Sequence, residues 1–321
     1  MMDHLLYYWI LWISVRHNRG NMMKNKKILI GVFFVCAILF LCVFFFLKSR
    51  QNTPVFNETN TWTITQYGRN NINMSFYTIY NPQKGLIVVD GGWTEDAADV
   101  REVINTLGGH VDAWILTHPH QDHIGAFNQL YKELAEIEVD SIYTVNMASP
   151  DECLNVASWD SVDAYNDFLA LDVTNLSYVY PGDTLEICGL TFEVFSAYDD
   201  NVKELSRDYL NDGSMMFKVT NVEESFLFCA DVGIGMSDYL VGKWGDELKA
   251  DYLQMGHHGY GGLSDAFYQK VSPRIAFFDA PDWLMFDETG KYDNPQNAEL
   301  MKLLGSEVVS FNSAPNEIIL K

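Results

Sequence analysis

Residues 117–123 read Thr-His-Pro-His-Gln-Asp-His, which gathers three imidazoles and one carboxylate (His118, His120, Asp122 and His123) into six positions. Neutral imidazole nitrogens and carboxylate oxygens are the donors that zinc takes, at roughly 2.0–2.2 Å. In an extended segment, residues two apart point the same way, so His118 and His120 can grip one ion. Asp122 and His123 then face a second point nearby. Two ions ~3.5–4 Å apart can clamp a reacting group and hold a hydroxide that acts as nucleophile. A helix capped by Asp122 and starting near Ile124 would explain one carboxylate, but not three imidazoles.

Three more segments end in residues of the same kind. Leu86-Ile-Val-Val-Asp90-Gly-Gly92, Phe226-Leu-Phe-Cys-Ala-Asp231 and Leu253-Gln-Met-Gly-His257-His258-Gly259 are each a short apolar run followed by a polar turn. With the His-x-His-x-Asp-His loop, and in this order, they resemble the metallo-β-lactamase fold hydrolases over residues 60–321. The His-His-Gly form and Asn294-Pro295 are most similar to the hydrolase domain of ComEC-type competence proteins.

The resemblance implies a metal set of His118, His120, Asp122, His123, Asp231 and His257, holding one or two zinc ions, or manganese. Asp231 would bridge the two ions, and Asp90 would support the metal loop from behind. Asp122, His258 and Asp90 are then the candidate catalytic residues. Successive side chains diverge, so one of His257 and His258 is expected to reach the metal. His257, next to the strand end, is favoured, which leaves His258 to support the site, contact substrate or donate a proton.

The sequence departs from the family in three places. The eight histidines are His4, His17, His110, His118, His120, His123, His257 and His258, so none lies between 124 and 256, where the family takes a third imidazole for the first ion. Asp212, in the turn Asn211-Asp212-Gly213-Ser214, is a candidate substitute, although Asn-Asp-Gly is also a hairpin signal in its own right. The Lys and Ser that flank Gly-His-His in ComEC-type sequences are here Gln254 and Tyr260.

These side chains need a scaffold that delivers them to one place. Strand-like patterns cover 61–67, 74–80, 85–90 and 113–117, with helices over 94–107 and 124–137. A second group of strand-like runs covers 184–188, 191–196, 214–219, 225–230, 251–255, 275–279, 307–311 and 318–320. Two runs of strands with helices between fit an α/β (α+β) fold, the four-layer αββα metallo-β-lactamase sandwich. His110, after Gly108-Gly109, reads as a loop residue.

Residues 28–47 are twenty uncharged, mostly apolar positions. As a helix they would span ~30 Å, the depth of a bilayer core. The domain organisation expected is a cytoplasmic segment 1–27 (with 1–21 a possible over-extended start), a transmembrane anchor 28–47, a linker 48–58 and the hydrolase domain 59–321. Basic residues are slightly heavier before the span than after it, which favours a single-pass protein of the cell membrane with its catalytic domain outside the cytoplasm.

The whole chain of 321 residues is 48% hydrophobic and 14% aromatic, which fits a packed core and not disorder. The net charge is −22, and residues 51–321 hold 14 Lys and Arg against 42 Asp and Glu. Such a surface repels a polyphosphate, so long nucleic acid is an unfavourable partner. A Cys153–Cys188 disulfide would suit an exported domain, with Cys229 left as a small core residue.

The function expected is hydrolysis of a phosphodiester in a small nucleotide or short oligonucleotide. The alternatives are a lactone, thioester or β-lactam hydrolase, and an exported metal-binding domain without catalysis.

Overall fold

A computed structural model describes residues 60–311 and 314–321. The segment read at 1–27, the anchor at 28–47 and the linker at 48–58 all lie outside the described residues. Among the described residues no helix is long and apolar enough to cross a membrane.

The strands are β1 (Trp62–Gln66), β2 (Phe76–Asn81), β3 (Gly85–Asp90), β4 (His110–Val111), β5 (Ala113–Ile115), β6 (Glu138–Val139), β7 (Ile142–Val145) and β8 (Leu176–Val179), followed by β9 (Thr184–Ile187), β10 (Leu190–Ser196), β11 (Met216–Thr220), β12 (Ser225–Phe228), β13 (Tyr252–Gln254), β14 (Ile275–Phe277), β15 (Glu307–Val309) and β16 (Asn316–Leu320). They form two seven-stranded sheets and one small pair. The first sheet runs β16-β1-β2-β3-β5-β7-β8, the second β15-β14-β13-β12-β11-β10-β9. Each has an antiparallel and a parallel half. In the first, β3, β5, β7 and β8 are parallel; in the second, β12, β13, β14 and β15 are.

The strand sequences explain this placement. Leu86, Ile87, Val88 and Val89 of β3 are all buried, as are Phe226, Leu227 and Phe228 of β12. A run that is apolar on both faces belongs inside a sheet covered on both sides. Tyr77 of β2 meets Phe226 and Phe228 of β12 at ring separations of 6.1 and 5.2 Å, so the two sheets face each other. Trp114 of β5 instead packs edge-on against Phe127 of the helix that follows the metal loop, at 5.1 Å. Each buried aliphatic side chain here stabilises the fold by roughly 1.5–3 kcal/mol. The ligand loops therefore leave from strands that are themselves firmly held.

The helices that bear on the site are α1 (Ala97–Thr106), α2 (Gln121–Tyr131), α3 (Pro150–Val156) and α4 (Asp163–Leu169). Helix α2 starts three residues earlier than the pattern suggests. His120, not Asp122, takes the N-cap position, with φ −78° and ψ 155° and no side-chain cap bond. Its first turn is made of polar donors, so apolar periodicity could not mark it. Helix α3 was not read from the sequence, although Ser149 and Glu152 form a capping box with Pro150 at the first turn. His110 is not a loop residue; it opens β4, which pairs with β6. The turn 211–214 is not a hairpin. A short helix, Tyr209–Asp212, ends there, with Asp208 accepting from Asn211 N. Cys153, Cys188 and Cys229 are free, so the disulfide is not formed.

Candidate metal centre

The site lies where the parallel strands of both sheets end. From the first sheet, β5 leads through Leu116 and Thr117 to His118, Pro119 and His120. The extended backbone turns both imidazoles the same way, and His118 Nε2 lies 3.0 Å from His120 Nδ1. Helix α2 then carries Asp122 and His123 in its first turn. The His123 ring sits 4.0 Å from that of His118. Helix α2 can approach this closely because residue 125 is glycine. A Cβ there would come within 2.5 Å of Thr94 N and 2.8 Å of Trp93 C.

The second sheet supplies the other donors. Strand β12 ends at Phe228, and two residues on Ala230, at φ 46°, turns the chain so that Asp231 faces His118 and His123. Gln254 Oε1 fixes that turn by accepting from Cys229 N and Ala230 N, both at 2.8 Å. Gln254, at a place where the resemblance expects a phosphate-seeking Lys, is thus a buried backbone clamp. Strand β13 continues into Gly256–Gly259, where His257 (φ 51°, ψ 53°) and His258 (φ 55°, ψ 13°) are both left-handed.

That double turn reverses the expected assignment of the two histidines. His258, not His257, joins the second metal position. His258 Nε2 is 3.1 Å from Asp122 Oδ2 and 3.4 Å from Asp231 Oδ2, and its side chain is 1% exposed. His257 Nε2 lies 3.8 Å from the same Asp231 oxygen, with its side chain 24% exposed. Two donor groups result. His118, His120 and Asp231 bring one donor atom each within 4.8 Å of one another, and so do Asp122, His123 and His258. Asp231 joins them, because its Oδ1 is 3.1 Å from His123 Nε2.

Asp90 supports the metal loop from behind, as expected, and does not itself reach the donor groups. It is fully buried behind the site, where its carboxylate accepts from Thr117 N and Thr117 Oγ1 and contacts His123 Nδ1, each at 2.8 Å. It sets the His123 ring so that Nε2 is free to face the site. Asn73 Nδ2 donates to Asp122 Oδ2 at 2.8 Å. Asp160, from the loop between α3 and α4, holds His120 Nε2 with both oxygens at 3.0 Å. Neither Asn73 nor Asp160 was read from the sequence. Asp212 is not in the first donor group; it accepts from Ser206 Oγ at 2.6 Å and Gly233 N at 2.9 Å.

Residues 68–137, which contain the His-x-His-x-Asp-His loop, match the metallo-beta-lactamase superfamily. The likeness to that superfamily rests on this segment. The chain is 29% identical over 145 residues to a hydroxyacylglutathione hydrolase of Aliivibrio fischeri, covering 44% of this chain and 50% of that protein. With a hydroxyacylglutathione hydrolase of Aliivibrio salmonicida it shares 30% over 151 residues, covering 46% and 51%. The chain thus spans about half the length of the curated relatives it matches. Among solved structures it is similar to CmlA, a diiron beta-hydroxylase from Streptomyces venezuelae, with a TM-score of 0.50, 12% identity and coverage of 80% and 54%. That likeness concerns the fold. A hydrolase is consistent with the superfamily and with the two His/Asp groups.

The donor set fits the metal that the superfamily implies. His123 Nε2 and Asp231 Oδ1 stand 3.1 Å apart, yet neither has a hydrogen-bond partner, and the same is true of His258 Nε2. An unsatisfied buried polar atom costs about 1–3 kcal/mol. Several at one point, close together but misaligned for hydrogen bonding, are donors aimed at a common cation.

The electrostatics agree. Burial, with His123 alongside, holds His118 well below the usual imidazole range, so it is neutral as a ligand must be. Burial would raise Asp231, but the His258 and His123 imidazoles outweigh it and hold the carboxyl well below its usual range. Burial would likewise lower His123, but the Asp231 and Asp90 carboxylates prevail and raise it to about 10. Without a cation His123 therefore carries a proton, which metal binding would displace.

Above the donors opens a cleft of about 260 Å³. Trp93, Asp160, Asn211, His257 and Tyr260 are among the residues around it, and none of the lining residues is Lys or Arg.

Proposed function

We propose that the chain is a metal-dependent hydrolase whose substrate is a small acyl compound, a thioester or lactone. The observation that carries this reading is the cleft lining, in which, among the described residues, carboxylates, imidazoles and a phenol surround the donors and no Lys or Arg stands to receive a phosphate. The names of the curated relatives support the thioester class. His118 and His120 with Asp231, and Asp122 with His123, His258 and Asp231, would hold the metal, zinc being the ion these donors suit best. A divalent ion there supplies Lewis acidity and brings the ionisation of water down to a pKa of ~7.

The chain's own residues orient and exclude. Asp160 and Asp90 fix which nitrogen of His120 and His123 faces the site. Burial raises the Tyr260 phenol to about 12, so at neutral pH it keeps its proton and can donate a hydrogen bond to a substrate oxygen. Trp93 and Tyr260 contribute aromatic surface to the cleft lining. In the overall reaction water adds to the acyl carbon and the C–S or C–O bond breaks with a proton passing to the sulfur or oxygen, so that a thioester gives a carboxylic acid and a free thiol and a lactone opens to a hydroxy acid.

A second reading, hydrolysis of a small phosphodiester, rests on the His-His-Gly and Asn294-Pro295 resemblance. Asn294 Nδ2 donates to His258 O at 2.9 Å, so that motif also serves to brace the His258 turn. The membrane anchor at 28–47, with the catalytic domain outside the cytoplasm, remains part of the proposal and is tested by membrane fractionation with protease protection.

The deciding experiment is turnover by the purified chain of a glutathione thioester, a lactone, bis-p-nitrophenyl phosphate and nitrocefin, each with and without added zinc. Zinc-dependent cleavage of the thioester or lactone is expected. Cleavage of the phosphate diester alone would overturn the acyl reading in favour of the second, and metal-independent turnover would overturn both.

A further inference from the structure

We propose that His257 is the third imidazole of the first metal position, completing it from the second sheet. This rests on the metal-dependent reading above. Zinc takes four ligands, and the group of His118, His120 and Asp231 supplies three. The second group needs no further imidazole, since Asp122, His123 and His258 already meet Asp231 there.

His257 is the imidazole left over at this place. Its Nε2 is 3.8 Å from Asp231 Oδ2, the same distance at which His118 Nε2 stands from that oxygen. Asp231 Oδ2 is thus ringed by His118, His257 and His258, of which His118 belongs to the first group and only His258 to the second. The ring of His257 takes no hydrogen bond among the described residues. The Tyr260 ring packs beside it, 4.7 Å away and tilted by 34°.

The backbone argues the same way. In an extended segment the side chains of residues 257 and 258 would point to opposite sides. Both are instead left-handed, a conformation that costs a non-glycine residue of order 1 kcal/mol or more. The double turn brings both imidazoles toward one carboxylate, and its backbone is pinned by His257 N donating to Ala230 O at 2.8 Å. A chain with no histidine between 124 and 256 would thereby obtain its third imidazole from the residue beside the one that serves the second position.

The test is zinc stoichiometry and affinity of the purified full chain, by chelator competition after metal removal. The wild-type protein is expected to bind two equivalents. His257→Ala should lose one, or bind it at least tenfold more weakly, and keep the other unchanged. His257→Asn, a residue type that tolerates the left-handed backbone, keeps the question answerable should the alanine variant misfold. His118→Ala should weaken the same equivalent. Two equivalents of unaltered affinity in either folded His257 variant would overturn the proposal while leaving the metal reading intact. A wild-type chain that binds no metal would overturn the metal reading itself.

Discussion

Both carboxylate oxygens of Asp160 lie 3.0 Å from His120 Nε2, so a residue forty positions downstream decides which nitrogen His120 turns to the site. The Nε2 hydrogen is engaged by Asp160, and Nδ1 is left facing His118. Removing such a support usually costs about 10–100-fold in metal affinity. Asp160→Ala should fall in that range for zinc measured by chelator competition, with little change in unfolding midpoint of the metal-free protein. An unchanged affinity would show that His120 is held by other means.

Asp90 is the corresponding support at the second position, but it is fully buried and holds the backbone as well. Asp90→Ala strands Thr117 N, Thr117 Oγ1 and His123 Nδ1 at once. Breaking a buried ionic network of this kind costs about 3–5 kcal/mol. Urea unfolding of the metal-free chain should show a loss of that size. A loss under about 1 kcal/mol, the size of a single ordinary hydrogen bond, would argue that water replaces the carboxylate.

Metal removal should destabilise the native chain, because only the folded state brings these donors together. Free zinc at a hundred times its dissociation constant contributes about 2.7 kcal/mol. Thermal unfolding with and without a chelator should therefore give a clear drop in midpoint, reversed by zinc but not by magnesium. The absence of any shift would count against the donor groups as a metal site.

Asp279 carries a pH dependence of known sign. It accepts from Gln66, Tyr77 and Gln254 in the space between the sheets, and burial raises its carboxyl to about 6. Its unfolded value is ~3.9. The native state thus binds the proton more tightly, and this group stabilises the fold most below pH ~4. That contribution is lost as pH rises from ~4 to ~6, by up to about 3 kcal/mol. Stability of Asp279→Asn, compared with wild type across this window, should lack the decline. Parallel curves would refute the assignment.

Gly125→Ala tests how closely helix α2 must sit. The added methyl would clash with the backbone of Trp93 and Thr94, which cannot yield as a flexible side chain does. Overpacking of this kind costs about 1–3 kcal/mol. Zinc affinity should fall with stability, because Asp122 and His123 ride on the same turn. Loss of stability without loss of affinity would mean that the loop 93–94 moves instead of the helix.

Much of this arrangement was readable in the residues. Strands such as β3 and β12 are continuous apolar runs, and the six-position cluster at 118–123 admits few explanations besides a metal. What escaped reading depended on backbone angle or on distance along the chain. His258 takes the place expected of His257 because two consecutive left-handed residues overturn the alternation of an extended segment. Asp160 and Asn73 touch the site from 40 and 49 residues away in sequence, in segments with no chemical signature of their own. Asp212 has a suitable side chain, yet Ser206 and Gly233 N engage it first. The early start of α2 was hidden because polar ligands occupy its first turn.

Gln254, Asp279, Gln66 and Tyr77 tie the second sheet to the first directly beneath the donors. The ion would therefore sit on a seam, with His118 to His123 on one side and Asp231, His257 and His258 on the other. Neither half of the polypeptide could retain it alone. Bound zinc would report that the two halves have docked in register, and a chain that had collapsed without completing that last alignment would let its metal go.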